Sequence, residues 1–310
     1  MSFPVKFARI AAVLLFLPSF GHSEAQHGIL VREAVIRITP DETSQRIGLA
    51  GRGREVVILG QSHDWINVFA NVGPEKDITG WILNKGVVLT STPNGDRIVF
   101  AEAEDSEDQA SRAHGRPGAG QDAMHLYATL AELFPKSPIA GEALYRAADI
   151  RWQIESADVM SLPSAREQDP LLRGRIDEDH MREVMKKFPH TKWADLAAYH
   201  LLDNQLCGDW QGQSKCPEHE TELYEKYVRD HPQSPKAAEA LFNAAKRQAA
   251  LIEIYKTEND SGKSEQAKGK AATLATQIAK DYPDSTWANR ALLLAYKIEQ
   301  GIPTYGTAIE

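Results

Sequence analysis

Four aromatic–proline pairs set the tightest limit on how this 310-residue chain can fold. They are Phe134-Pro135, Phe188-Pro189, Tyr282-Pro283 and, with histidine in the aromatic place, His231-Pro232. Two residues after each proline stands Ser137, Thr191, Ser234 or Ser285, hydroxyl residues suited to an N-cap, and Pro138 and Pro235 then fall where a first helical turn tolerates proline. Counted from each proline, alanine recurs at the fifth position (Ala140, Ala194, Ala237, Ala288) and the eighth (Ala143, Ala197, Ala240, Ala291). The ninth (Leu144, Ala198, Leu241, Leu292) and twelfth (Ala147, Leu201, Ala244, Ala295) complete an i, i+3, i+4, i+7 stripe. A second stripe runs backward through Tyr127, Met181, Tyr224 and Ala275, then Leu130, Val184, Tyr227 and Ile278. Each copy therefore predicts a helix, a proline turn and a second helix. One hairpin cannot bury its own apolar face, so the copies must stack into an array over residues 121–304.

The N-terminal part reads differently. Between residues 29 and 89 lie short β-branched runs: Val35 to Ile38, Glu55 to Leu59, Trp65 to Phe69 and Gly80 to Leu83, separated by Gly, Pro, Asn and Asp clusters. These predict a small all-β barrel over residues 26–92. Trp65 and Trp81 admit two readings, as core of a small barrel or as an aromatic groove for an extended peptide or a sugar.

Ile36-Arg37 with Pro40, Ile47-Gly48, Gly53 through Leu59, Trp65 through Val68 and Gly80-Trp81-Ile82 together resemble the bacterial SH3-type domain of envelope proteins. The asparagine usual before the first Val-Arg pair is absent, and residues 71–79 form a longer insert than the family carries. The proline-turn copies resemble the tetratricopeptide repeats of periplasmic and outer-membrane proteins, with Pro135, Pro189, Pro232 and Pro283 as the repeat turns. Their prolines are 54, 43 and 51 residues apart, against about 34 in that family. Extra structure is expected at residues 155–177, 207–216 and 256–268. The resemblances imply a multidomain fold, an SH3-like barrel followed by a helical-hairpin array.

Residues 93–120 join the parts. Their acids Glu102, Glu104, Asp105, Glu107 and Asp108 precede a Gly/Pro-rich stretch, which predicts a solvated linker and two parts free to move. Lys6 and Arg9 before an apolar run, with Ser23 and Ala25 at cleavage spacing, predict a signal peptide over residues 1–25 and a periplasmic or secreted mature chain. No later stretch is apolar enough to span a membrane. In an oxidising compartment Cys207 and Cys216, the two cysteines of the chain, predict a disulfide. Residues 305–310 form a tail.

A formal charge of −8 without a basic stripe argues against nucleic acid as partner. Sequence signatures of nucleotide loops, zinc proteases and serine hydrolases are absent. Cys207 lacks the second cysteine of a papain-type context, and Cys207, Cys216 and His219 do not have zinc-finger spacing. Asp177, Glu178, Asp179 and His180 stand where acids complement a helix N-terminus. The expectation is a protein with no cofactor, no metal and no catalytic residues: an exported scaffold or adaptor that binds envelope proteins. The alternative is a peptidoglycan-binding module with the repeats as spacer.

Overall fold

A computed structural model describes residues 25–73 and 76–306. The expected signal peptide, apart from Ala25, and the last four residues of the tail lie outside the described residues. Seven strands come first: β1 (Gln26–Leu30), β2 (Ala34–Arg37), β3 (Arg46–Ala50), β4 (Glu55–Ser62), β5 (Trp65–Asn71), β6 (Asp77–Leu83) and β7 (Val87–Leu89). They form one antiparallel sheet in the order β3-β2-β6-β5-β4-β1-β7. Ile36, Val56, Ile66, Val68 and Ile82 alternate inward and, with Leu30, make its buried core.

The expected barrel is not closed. The sheet keeps two edges, β3 and β7, because the three-residue β7 leads directly into a helix instead of returning to β3. That helix, α1 (Gly95–Ser111), occupies most of the stretch read as a linker. Gly95, Val99, Ala103 and Ser106 bury its inner face. The acids find partners within the chain: Glu102 pairs with Arg52 of the sheet, while Glu104 and Glu107 lie 3.5 and 3.2 Å from Arg146. Opposite charges thus convert an expected self-repelling run into a packed element.

Four hairpins follow: α2 (Ala119–Leu133) with α3 (Ala140–Ser161), α4 (Asp179–Lys187) with α5 (Lys192–His200), α6 (Lys215–Asp230) with α7 (Ala237–Thr257), and α8 (Ser261–Asp281) with α9 (Thr286–Glu299). Phe134, Phe188, His231 and Tyr282 end the first helices with closely matching dihedrals, φ −119, −127, −132 and −132°, and each N–H bonds the carbonyl four residues back. Thr191 and Ser285 cap α5 and α9 through their hydroxyls. Where proline follows, at Pro138 and Pro235, the turn is longer. There Ser137 and Ser234 accept from Ile139 N–H and Lys236 N–H instead, so the prolines precede the first helical residue.

The alanines at the fifth and eighth positions are buried in all four copies, but at the ninth position Leu144 and Leu241 are 9% and 3% exposed and Leu292 is 56% exposed, since no further hairpin covers α9 among the described residues. The irregular proline spacing has three causes. The chain after α3 makes two short 3-10 turns (Pro163–Arg166 and Pro170–Leu172), a cysteine loop follows the nine-residue α5, and α7 and α8 each reach 21 residues. Residues 256–268 are therefore mainly helix rather than insert.

Cys207 and Cys216 are bonded to each other. Their loop is held from below by Glu220, 1% exposed, whose carboxylate accepts from Cys207 N–H (3.0 Å), Trp210 Nε1 (3.1 Å) and Arg247 Nε (2.8 Å). The Arg247 guanidinium lies over the Trp210 and Tyr224 rings, and Tyr305 of the tail packs on Trp210.

The sheet and the array are fixed to one another. Ile29 and Val88 of the sheet and Val99 and Ala103 of α1 share one buried core with Leu126, Tyr127 and Leu130 of α2. Gly53 adopts φ +73°, and a Cβ there would lie 2.5 Å from Leu126 N and 2.6 Å from His125 C, so only glycine allows this approach. Thr129 Oγ1 donates to Gly53 O at 2.6 Å. The expected mobility between the parts is corrected by this shared core.

Candidate functional site

The first two hairpins leave a groove between α2, α3 and α4. Its cavity, about 340 Å³, has a floor of Ala128, Leu144, Ala147 and Ala148. Small side chains on facing helix positions keep it open, the same property that lets the helices approach. Because successive helices run antiparallel, His125, Arg151 and His180 gather at one end, and Glu132 and Lys187 lie towards the other.

A second cavity of about 220 Å³ adjoins at the sheet, lined by Arg54, Val57, Phe69, Asn71 and Thr129. His125 lines both, so they adjoin at this residue. The approach of Gly53 to α2 brings Arg54 there. Asn71 comes from the end of β5, where the β5–β6 insert begins.

The polar groups divide by whether they are already engaged. Arg151 donates to His180, and its Nε lies 3.4 Å from Glu155. Glu183 pairs with Lys187 at 2.7 Å, Glu55 with His27, and Asp122 with Arg116. Arg54 and His125 have no side-chain hydrogen-bond or ion-pair partner among the described residues. Burial first, and then the charges of Arg54 and Arg151, hold the His125 imidazole below its ordinary value of 6.5, against the pull of Asp122.

Trp65 and Trp81 lie elsewhere on the same sheet. Strand alternation puts them opposite the core residues Ile66, Val68 and Ile82, on the outer face, with Asn67 beside Trp65 along β5 and paired across to Trp81. Both are half-buried, so the reading of these rings as barrel core is corrected. The outer row of β5, Trp65, Asn67, Phe69 and Asn71, runs towards the smaller cavity, yet neither tryptophan lines it. Asn67 Oδ1 is buried without a hydrogen-bond partner. Cys207, Cys216 and the four turn prolines lie away from the groove. Among the described residues no group of three or more His, Cys, Asp or Glu side chains is placed to hold a metal, and no helix is long and apolar enough to cross a membrane.

Arg54, His125 and Arg151 were not singled out by sequence. The available signal was register: His125 stands ten residues before its turn proline and Arg151 sixteen after, where the third copy has Glu222 and Gln248.

No protein-family profile matches the chain, and no curated protein does. The solved structures it is similar to include a filament and a de novo designed helical repeat protein. The DHF58 filament is 16% identical, with TM-score 0.25, over 66% of this chain and 91% of that one. The designed helical repeat protein DHR64 is 16% identical, with TM-score 0.24, over 67% and 94%.

Proposed function

We propose that this chain is a non-catalytic binding protein of the bacterial cell envelope, an adaptor that holds an extended segment of another protein in the groove shared by its sheet and first two hairpins. The observation that carries the reading is the pair of cavities meeting at His125, lined by small apolar side chains and by polar groups left without partners. Such a concave, half-apolar channel with a few polar groups suits an extended chain. The repeat turns support a tetratricopeptide-like origin for the array, and the order of strand motifs supports an SH3-type origin for the sheet. Export to the periplasm rests on the basic, apolar and small-residue pattern of residues 1–25.

The test is co-purification from solubilised envelope proteins, comparing the mature chain with Ala128→Trp, which fills the groove floor. The same protein should be recovered by the wild type and lost with the variant. Equal recovery by both would overturn the groove.

A second reading, peptidoglycan binding, is favoured by one feature, the outer sheet face where Trp65 and Trp81 flank the partnerless Asn67 Oδ1. Sedimentation with isolated peptidoglycan, lost in Trp65→Ala and unaffected by Ala128→Trp, would select it.

A further inference from the structure

The chain carries −8 overall, yet the place where the two cavities meet is cationic. Arg54 arrives from the sheet, Arg151 from α3, and His125 and His180 from α2 and α4. Among the described residues these nearby acids are engaged: Glu55 by His27, Asp122 by Arg116, Glu183 by Lys187, and Glu155 by Arg151 and by Asp177 N–H. Glu132, on the groove rim, stands two helical turns from His125 along α2. Arg54 from one cavity and Arg151 from the other both act on His125 as positive charges, and a carboxylate seated there would be attracted by both.

Resting on the groove reading above, we infer that the segment held there is acidic, with a carboxylate seated between Arg54, His125 and Arg151. Arg54 and His125 supply donors that nothing else in the described structure uses, and Arg151 keeps donors beyond those facing His180 and Glu155. The alanine floor leaves room for the backbone of the segment to pass towards Lys187, so acids at alternate positions of an extended chain would face the same cationic side. The site is composite: the sheet contributes one arginine and the array the other, which gives the fixed docking at Gly53 a role in recognition.

The experiment measures fluorescence anisotropy of two labelled ten-residue peptides on the full mature chain, one alternating alanine with aspartate, the other alanine with asparagine. The aspartate peptide should bind roughly tenfold or more tighter, in line with hydrogen bonds to charged groups. The Arg54→Gln/Arg151→Gln double variant should remove that preference while changing the asparagine peptide less than about twofold. Ala128→Glu, at a half-buried position that admits a larger side chain, should weaken the aspartate peptide selectively. Circular dichroism confirms that each variant is folded.

Equal affinity for the two peptides, no binding of either at about millimolar concentration, or a double variant that keeps the preference would overturn the acidic inference. If the peptides bind equally and Ala128→Trp removes both, the groove reading stands and the charge reading alone falls. If Ala128→Trp leaves the aspartate peptide bound, both fall.

Discussion

The same three-helix groove occurs twice in the array, and the two copies are finished differently. Between α6, α7 and α8 a cavity of about 270 Å³ is lined mostly by long polar side chains, several of them bonded to neighbours. Gln248 donates to Thr221 at 3.1 Å, Tyr255 bonds Glu218, and Lys270 reaches Glu225 at 3.0 Å. At the matching repeat positions the α2, α3, α4 groove has Arg151 for Gln248, His125 for Glu222 and Ala128 for Glu225. One backbone arrangement thus yields a groove closed in the sense that several of its polar side chains bond one another, and a groove open in the sense that Arg54 and His125 keep no side-chain partner among the described residues. The buried alanines that set helix spacing are common to both; what differs are outward residues on the first helix and, at Arg151 and Gln248, on the second.

The two grooves also rest on different cores. Tyr255 and Ala267 of the closed groove belong to a small cluster of α7 and α8 with Leu251, whereas the core under the open one includes Ile29 and Val88 of the sheet. Removing residues 26–118 should therefore have the largest and most local effect. Hydrogen exchange on a fragment of residues 119–306 should show α2 to α4 exposed and α6 to α9 still protected. Uniform protection along the fragment would separate the sheet from the open groove.

Next in size is Glu220→Ala, which strands the Arg247 charge beneath the cysteine loop. Urea unfolding should show a loss of roughly 3–5 kcal/mol. Binding to the open groove should survive in the folded fraction, because Glu220 belongs to the other half. A smaller effect follows from Thr129→Val, which leaves Gly53 O without its side-chain donor at the junction. About 1 kcal/mol is expected, read from the same urea transition.

The smallest effect is on pH. His125 faces Arg54 and Glu55 of the sheet, Asp122 of its own helix, Arg151 of α3 and His180 of α4. Its folded value lies below 6.5, so above that pH it is neutral in both folded and unfolded states and contributes no pH dependence. Below 6.5 the unfolded chain takes up the proton more readily, and the stability the neutral imidazole contributes is lost as pH falls. A bound carboxylate reverses the preference. Aspartate-peptide affinity should accordingly rise about two- to threefold between pH 7.5 and 5.5, and this rise should vanish in His125→Gln.

Much of the architecture was legible because burial leaves a period. Ala143, Ala197, Ala240 and Ala291 are fully buried, and the prolines mark all four turns. The α1 helix was hidden by its composition. Its inner stripe, Gly95, Val99, Ala103 and Ser106, has helical spacing but little hydrophobicity, and its acids are stabilised by Arg52 and Arg146, which sequence proximity does not reveal. The two tryptophans were legible in principle: Trp65 is in phase with Asn67, not with Ile66 and Val68, which places it on the outer face. The groove was not legible, because periodicity reports residues that pack against their own neighbours. Arg54 and His125 matter because their side chains are left without partners among the described residues.

The difference between the grooves can be measured in one comparison. A photo-crosslinking amino acid is placed at position 128 on the open floor and, in a separate protein, at the matching position 225 of the closed groove, and each is irradiated in the intact envelope. The account predicts a discrete protein adduct at position 128 and none above background at 225. Equal labelling at both positions, or labelling at 225 alone, would contradict it.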